Sequence, residues 1–298
     1  MTVRTHSSPD RTRAQAEHLF RTISASVLSL SMSAACAPSG RASQQLPSRS
    51  SNLPSTAALQ RGPDIAADEQ PQVRSIERAS IVVGTNRFSL HLPVSSKPPL
   101  PGVLVFHSAL GRTDSVLEWC DALAQSGFAA IALDFYDGRI ANTPADSKAL
   151  RDSANSRASE LQRVVEQTYD SLQSDPRLRS QKRFLLGWSF GAAWATFASS
   201  FLPDVRGVVA FYGEDFGMNP SLYDKVSAPI LFIGAQKDTD PTPNQLHEIV
   251  GQLKSRGKAA ELVFVDAMHG FAERKHVGYN AVAASDSWKQ AMHFLAVH

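Results

Sequence analysis

Cysteine is scarce in this chain: 298 residues carry only Cys36 and Cys120. Two thiols with no C-x-x-C pair and no Cys/His spacing offer neither a disulfide framework nor a zinc-type ligand set. Charge of one sign is also lacking. Thirty Lys and Arg stand against 28 Asp and Glu, a formal net charge of +2. Without a basic stripe, nothing in that balance favours a nucleic-acid partner. No apolar run approaches the ~20 residues that a membrane-spanning helix needs. What is there is globular: 43% hydrophobic and 19% charged residues, enough for one large α/β domain with a full core and some sequence to spare.

The spare sequence lies at the front. Residues 1–75 are rich in Ser, Ala, Arg, Gln and Pro and show little periodicity. Within them, about residues 20–37, Arg21 precedes a mildly apolar stretch from Ile23 to Ala35 that ends in Ala34-Ala35-Cys36-Ala37. Arginine, an apolar run and small residues resemble an export signal, and Cys36 after two alanines resembles a lipoprotein attachment site at a bacterial envelope. Serines interrupt the apolar run, and Ser33 stands where a large aliphatic residue is usual. Export with a lipid anchor and a plain cytoplasmic extension both stay open. Gly40 to Gln72 reads as a flexible linker that cannot bury a core.

A catalytic domain is expected over 76–298. Ser80–Val83 and Arg87–Leu92 flank Gly84-Thr85-Asn86 and read as a hairpin. Apolar runs at Val103–Phe106 and Phe128–Leu133 read as strands buried on both faces, and Gln181–Gly187, Val205–Tyr212, Pro229–Gly234 and Ala260–Val265 read as further strands. Between them lie helical stretches: Asp114–Gln125, roughly Ala145–Gln173, a run after Ser189, Pro243–Arg256 and Ala281–Val297. Strands alternating with helices give a mostly parallel sheet with helices on both faces. Active groups then gather at the carboxyl ends of the strands. Cys120, inside a helical stretch, is expected as a packed thiol.

One stretch organises the rest: Phe184-Leu185-Leu186-Gly187-Trp188-Ser189-Phe190-Gly191. A strand running into Gly-x-Ser-x-Gly and then a small-residue helix is what a nucleophile elbow needs. The turn lifts Ser189 above the sheet edge, and the helix N-terminus behind it points N–H groups at a developing oxyanion. A serine hydroxyl needs a base, and the base needs an orienting carboxylate. Asp238 follows the strand Leu231–Gly234, with Asp240 as a rival two residues on, and His269 follows Val263–Val265. The order Ser189, Asp238, His269 is that of α/β-hydrolases. The Phe190 N–H and, from the loop after Phe106, the Ala109 N–H are the expected oxyanion donors. His107 is expected to pack beneath that loop, and Asp134 to cap its own. Tyr212, Arg139 and Arg112 are candidate substrate contacts, with packing or surface charge as the alternatives.

On these segments the chain resembles the dienelactone hydrolase family of α/β-hydrolases, from about Arg78 to the C-terminus. Val103-Leu104-Val105-Phe106-His107 with Gly111 resembles its oxyanion strand and loop. Gly127–Tyr136, Gly187–Gly191, Phe211-Tyr212-Gly213 and Met268-His269-Gly270-Phe271 match further segments in register. The resemblance implies hydrolysis of a carboxylic ester or lactone through an acyl-enzyme, with no metal or organic cofactor. Two departures stand out: members that open dienelactones carry a cysteine nucleophile where this chain has Ser189, and a glutamate where it has Ser108. The dienelactone substrate therefore does not carry over. A small-molecule substrate, no nucleic-acid partner and a monomer or homodimer are expected. A non-catalytic binding protein on the same fold, or a peptidase or acyltransferase on the same three residues, stays open.

Overall fold

Eight strands make one sheet in a computed structural model of the chain, which describes residues 75–94, 96–178, 182–213 and 220–298. The extension expected over 1–75, with its signal-like stretch and Cys36, lies outside the described residues save for Ser75. The strands are β1 (Ile76–Val83), β2 (Asn86–Pro93), β3 (Gly102–Phe106), β4 (Ala129–Ala132), β5 (Arg183–Trp188), β6 (Gly207–Phe211), β7 (Ile230–Ala235) and β8 (Ala260–Val265). Their order across the sheet is β1-β2-β4-β3-β5-β6-β7-β8. The β1–β2 hairpin and the β2–β4 pair are antiparallel; every other pair is parallel.

The chain thus enters the parallel part at β3, steps out to β4, and returns past β3 to β5 before running on to β8. Strand order reverses beside β3 and β5, where α/β sheets open a crevice at their carboxyl ends. Phe106 at the end of β3 pairs with Gly187 near the end of β5. The two loops that follow therefore leave the same edge side by side.

Helices α1 (Asp114–Gln125), α2 (Pro144–Ser156), α3 (Ala158–Ser174), α4 (Phe190–Ala198), α5 (Pro220–Lys225), α6 (Pro243–Ser255) and α7 (Ala281–Val297) complete the described chain. The strands are apolar on both faces because both faces are covered. Leu104, Phe106 and Leu185 point to a core shared with α2, α3, α4 and α6. Their neighbours Val103, Val105, Phe184 and Leu186 point to the other core, closed by α1 and α7. Each such fully buried aliphatic side chain contributes about 1.5–3 kcal/mol of transfer free energy.

Helix starts follow from local chemistry. Thr143-Pro144 opens α2 and Thr242-Pro243 opens α6, each with a reciprocal capping box three residues on, to Asp146 and to Gln245. Such a cap is worth about 1 kcal/mol. The single helix expected over Ala145–Gln173 is two helices, broken at Arg157 (φ −107°, ψ 20°). There the guanidinium donates to the Phe135 carbonyl at 3.0 Å and the Asp137 carboxylate at 3.2 Å. That anchor pins the chain to the loop after β4, a tertiary contact that local periodicity does not carry. Strands β4 and β6 are one or two residues shorter at each end than their apolar runs, because the flanking residues pack as loops.

A buried polar cluster ties the hairpin to the rest. Ser89 Oγ lies 2.8 Å from His91 Nε2, and His91 Nδ1 lies 2.7 Å from Asp121 of α1. Arg78 of β1 adds a two-pronged contact to the same carboxylate, its Nε at 3.0 Å. Burial lowers the His91 pKa against the pull of Asp121. No helix among the described residues is long and apolar enough to cross a membrane.

Candidate active site

Ser189 sits between β5 and α4 with φ 51° and ψ −120°, a region that costs a non-glycine residue about 1–3 kcal/mol. Its own N–H donates to the Phe211 carbonyl at 2.9 Å, which anchors the turn to β6. Directly behind it, α4 lies so close to β3 that a Cβ on Gly191 would sit 2.3 Å from the Phe106 and His107 carbonyl oxygens. Glycine is the residue that lets the helix reach the strand. α4 is buried throughout, with Ala192, Ala193, Ala195 and Ala198 small and Trp194 and Phe197 filling the core.

Three side chains from three strand ends meet there. His269 Nε2 lies 2.9 Å from Ser189 Oγ, and His269 Nδ1 lies 2.8 Å from Asp238 Oδ2. The Asp238 carboxylate is an acceptor, so Nδ1 carries the hydrogen and Nε2 is left to accept from the serine hydroxyl. Asp238 is buried, and its other oxygen accepts from the Asp240 N–H at 3.1 Å. Asp240 itself is exposed. Of the two acids after β7, it is Asp238 that reaches the imidazole. Gly270 follows the histidine at φ +73°, and a Cβ there would lie 2.2 Å from His276 Nδ1. The tight turn holds His269 over the strand ends, with the Tyr212 ring against it at a centroid distance of 4.9 Å.

The sequence model of the dienelactone hydrolase family matches residues 89–298. The chain belongs to that family. It is 28% identical over 205 residues to a protein of Aquifex aeolicus named "Putative carboxymethylenebutenolidase", an alignment that spans 66% of this chain and 88% of that protein. Among solved structures, a dienelactone hydrolase-like promiscuous phosphotriesterase from metagenomic libraries superposes with a TM-score of 0.65 at 20% identity, over 75% of this chain and 98% of that one. A dienelactone hydrolase from Anabaena variabilis gives 0.57 at 20% identity, over 76% and 99%. These two likenesses speak for the α/β-hydrolase fold.

In this dienelactone hydrolase family member the Ser108 hydroxyl meets a buried carboxyl. Ser108 Oγ donates to Glu273 Oε1 at 2.6 Å and accepts from the Leu110 N–H at 3.1 Å. Glu273 lies four residues after His269 and is only 3% exposed. Burial pushes its carboxyl above its usual range, with Ser108 and His269 acting the other way. Sequence reasoning did not single it out. A glutamate on a loop reads as surface charge, and its partner lies far away in sequence.

The remaining sequence-derived residues fall as follows. Phe190 opens α4, whose first amide groups have no acceptor within the helix. Ala109 lies on the loop after β3, one residue beyond Ser108. His107 is buried: Nδ1 donates to the Ser108 carbonyl at 2.7 Å, and Nε2 accepts from the Phe135 N–H at 3.0 Å. Both nitrogens are engaged, and burial lowers its pKa. Asp134 caps its own loop, accepting from the Tyr136 and Gly138 amides. Arg112 is paired with that same Asp134 at 3.2 Å. Arg139 donates to the Tyr136 carbonyl at 2.9 Å, with 55% of its side chain exposed. Tyr212 is fully buried, its hydroxyl 3.5 Å from Glu273 Oε2. Cys120 is buried and free, its pKa raised by burial. Among the described residues, no group of three or more His, Cys, Asp or Glu could hold a metal ion.

Proposed function

We propose that the protein is a serine hydrolase that cleaves a carboxylic ester or lactone through an acyl-enzyme. The observation that carries this reading is the unbroken row from Ser189 Oγ through His269 to Asp238, at 2.9 and 2.8 Å. In it Ser189 attacks the substrate carbonyl carbon and its proton passes to His269 Nε2. The carbonyl oxygen becomes an oxyanion and accepts from the N–H groups of Phe190 and Ala109. Asp238 holds the imidazole in the needed tautomer and stabilises its charged form. Collapse breaks the ester bond, and Nε2 gives the proton to the leaving alcohol. Water then gives up a proton to the same nitrogen, attacks the acyl carbon and releases the acid with Ser189 restored. Every proton is handed on by one imidazole, so the cycle balances without a further reagent.

The backbone strain at Ser189 supports the same reading, because such strain clusters at active sites. The butenolidase name of the Aquifex relative makes a lactone a reasonable substrate to try first. Arg112 is engaged with Asp134, so recognition of a substrate carboxylate by Arg112 would require breaking that pair. Neutral esters and lactones fit better. The test is turnover of a panel of chromogenic short-chain esters and lactones by wild type and Ser189→Ala. Loss of turnover with an unchanged fold supports the proposal; full turnover by the alanine variant would refute it.

A further inference from the structure

The buried carboxyl of Glu273 has no part in the catalytic row. Glu273 is 3% exposed, and Ser108, its hydrogen-bond donor, is 2% exposed. A carboxyl buried this deeply is costly unless its contacts offset the loss of water. Its position gives it reach. The Glu273 N–H donates to the Gly270 carbonyl at 3.0 Å, so the residue belongs to the turn that carries His269. Its side chain crosses to the loop after β3, although β3 and β8 are separated by β5, β6 and β7 in the sheet. At the far end Ser108 Oγ accepts the Leu110 N–H at 3.1 Å while donating to Glu273 at 2.6 Å. The Leu110 bond closes over Ala109, and the Glu273 bond fixes the Ser108 hydroxyl that accepts it. The Tyr212 hydroxyl, 3.5 Å from Oε2, and the His269 ring beyond it are the other polar groups facing this carboxyl.

We infer that Glu273 is a positioning residue: by holding Ser108 Oγ, it fixes the turn that presents the Ala109 N–H to the substrate carbonyl oxygen. This rests on the reading of Ala109 as an oxyanion donor and Ser189 as the nucleophile. The Ser108 carbonyl keeps a second anchor, the His107 Nδ1–H at 2.7 Å. Loss of Glu273 therefore loosens the turn without releasing it. Removing an oxyanion donor outright costs about 10²–10³ in kcat, so displacing one costs less, about 10- to 100-fold.

The test uses the full chain with Glu273→Ala, Glu273→Gln, Ser108→Ala and the double alanine variant. Turnover of a p-nitrophenyl ester is followed over a range of pH, and amide hydrogen exchange is followed at Leu110. Glu273→Ala is expected to lower kcat about 10- to 100-fold with KM within about threefold. Glu273→Gln keeps an oxygen for Ser108 Oγ and should stay within about threefold of wild type. Ser108→Ala, which also frees the Leu110 N–H, should lose at least as much as Glu273→Ala, and the double variant should fall no further than Ser108→Ala, because Glu273 acts through Ser108. Leu110 exchange should quicken in Glu273→Ala and not in Glu273→Gln. Should Glu273→Ala fail to fold, Ser108→Ala and Glu273→Gln carry the same comparison. Equal losses for Gln and Ala with a displaced acid limb of kcat/KM would overturn the inference in favour of a charge effect on His269. A double loss equal to the product of the single losses, or unchanged Leu110 exchange, would overturn it too. Retained ester turnover by Ser189→Ala would fell the functional reading instead, and Leu110 exchange would still decide whether Glu273 holds the turn.

Discussion

Replacing Asp238 by asparagine changes one atom and should nearly silence the enzyme. The reason lies in the two bonds of the carboxylate. Oδ2 faces His269 Nδ1 at 2.8 Å, and Oδ1 accepts the Asp240 N–H at 3.1 Å. An asparagine must keep its oxygen toward the Asp240 N–H, since its NH₂ there would set donor against donor. The NH₂ then faces Nδ1, which must become an acceptor, and the imidazole hydrogen moves to Nε2. A protonated Nε2 cannot take the Ser189 proton. Turning the amide the other way leaves buried donors opposed, at a cost of about 1–3 kcal/mol, or about 5- to 150-fold. Even that minority lacks the full charge that stabilises the imidazolium. Together these effects should lower kcat by about 10⁴-fold, about 5.4 kcal/mol in the barrier, the scale known for this change in serine triads. The assay is initial-rate hydrolysis of a p-nitrophenyl ester, with a thermal melt to show that the fold is kept. Exposed Asp240→Asn, measured beside it, should stay within about twofold. Asp238→Asn within tenfold of wild type, or the large loss falling on Asp240→Asn, would refute the reasoning.

Gly191→Ala drives a Cβ to 2.3 Å from the Phe106 and His107 carbonyl oxygens at the end of β3, and should cost about 3 kcal/mol or more in denaturant unfolding; a midpoint like that of wild type would show that α4 can retreat freely. Asp121→Ala leaves buried His91 Nδ1 without its partner and should destabilise by about 1–3 kcal/mol in urea unfolding, the exposed Arg78 adding little. Ser89→Ala should leave ester turnover unchanged, because the Ser89–His91–Asp121 row joins β2 to α1 and has no contact with Ser189 or His269; a large loss of turnover would contradict that assignment. Burial raises the Glu273 carboxyl above its usual 4.5, so the folded chain keeps that proton to higher pH than the unfolded chain. Wild type should then lose stability as pH climbs from 4.5 through the folded-state value, while Glu273→Gln does not. The gap in urea midpoint between the two should widen from acid to neutral pH, and a constant gap would show that the buried carboxyl does not titrate in that range.

What the sequence disclosed and what it hid separate on physical grounds. Ser189 and His269 were legible because a strained turn and a tight loop demand glycine at fixed places, and strand ends announce themselves as apolar runs that stop. The sheet was legible because a strand covered on both faces has little choice but continuous Val, Leu, Ile and Phe, as in Val103–Phe106. The break at Arg157 was not, since it depends on a guanidinium reaching Phe135 and Asp137 across the fold. Asp238 and Asp240 could not be separated by spacing alone; both follow β7, and only burial and the direction of the loop bring one to the imidazole. Glu273 was invisible for the same reason on a larger scale. Its meaning comes from Ser108, which only the strand order brings within reach.

The central claim is that the Ser189 hydroxyl is activated by His269. A fluorophosphonate probe reports this directly, because it bonds covalently to an activated serine. Intact mass and peptide mapping of the full chain should place one adduct on Ser189, lost in His269→Ala and in Ser189→Ala. No adduct on the folded wild type, or an adduct on any other serine that persists in Ser189→Ala, would contradict the account.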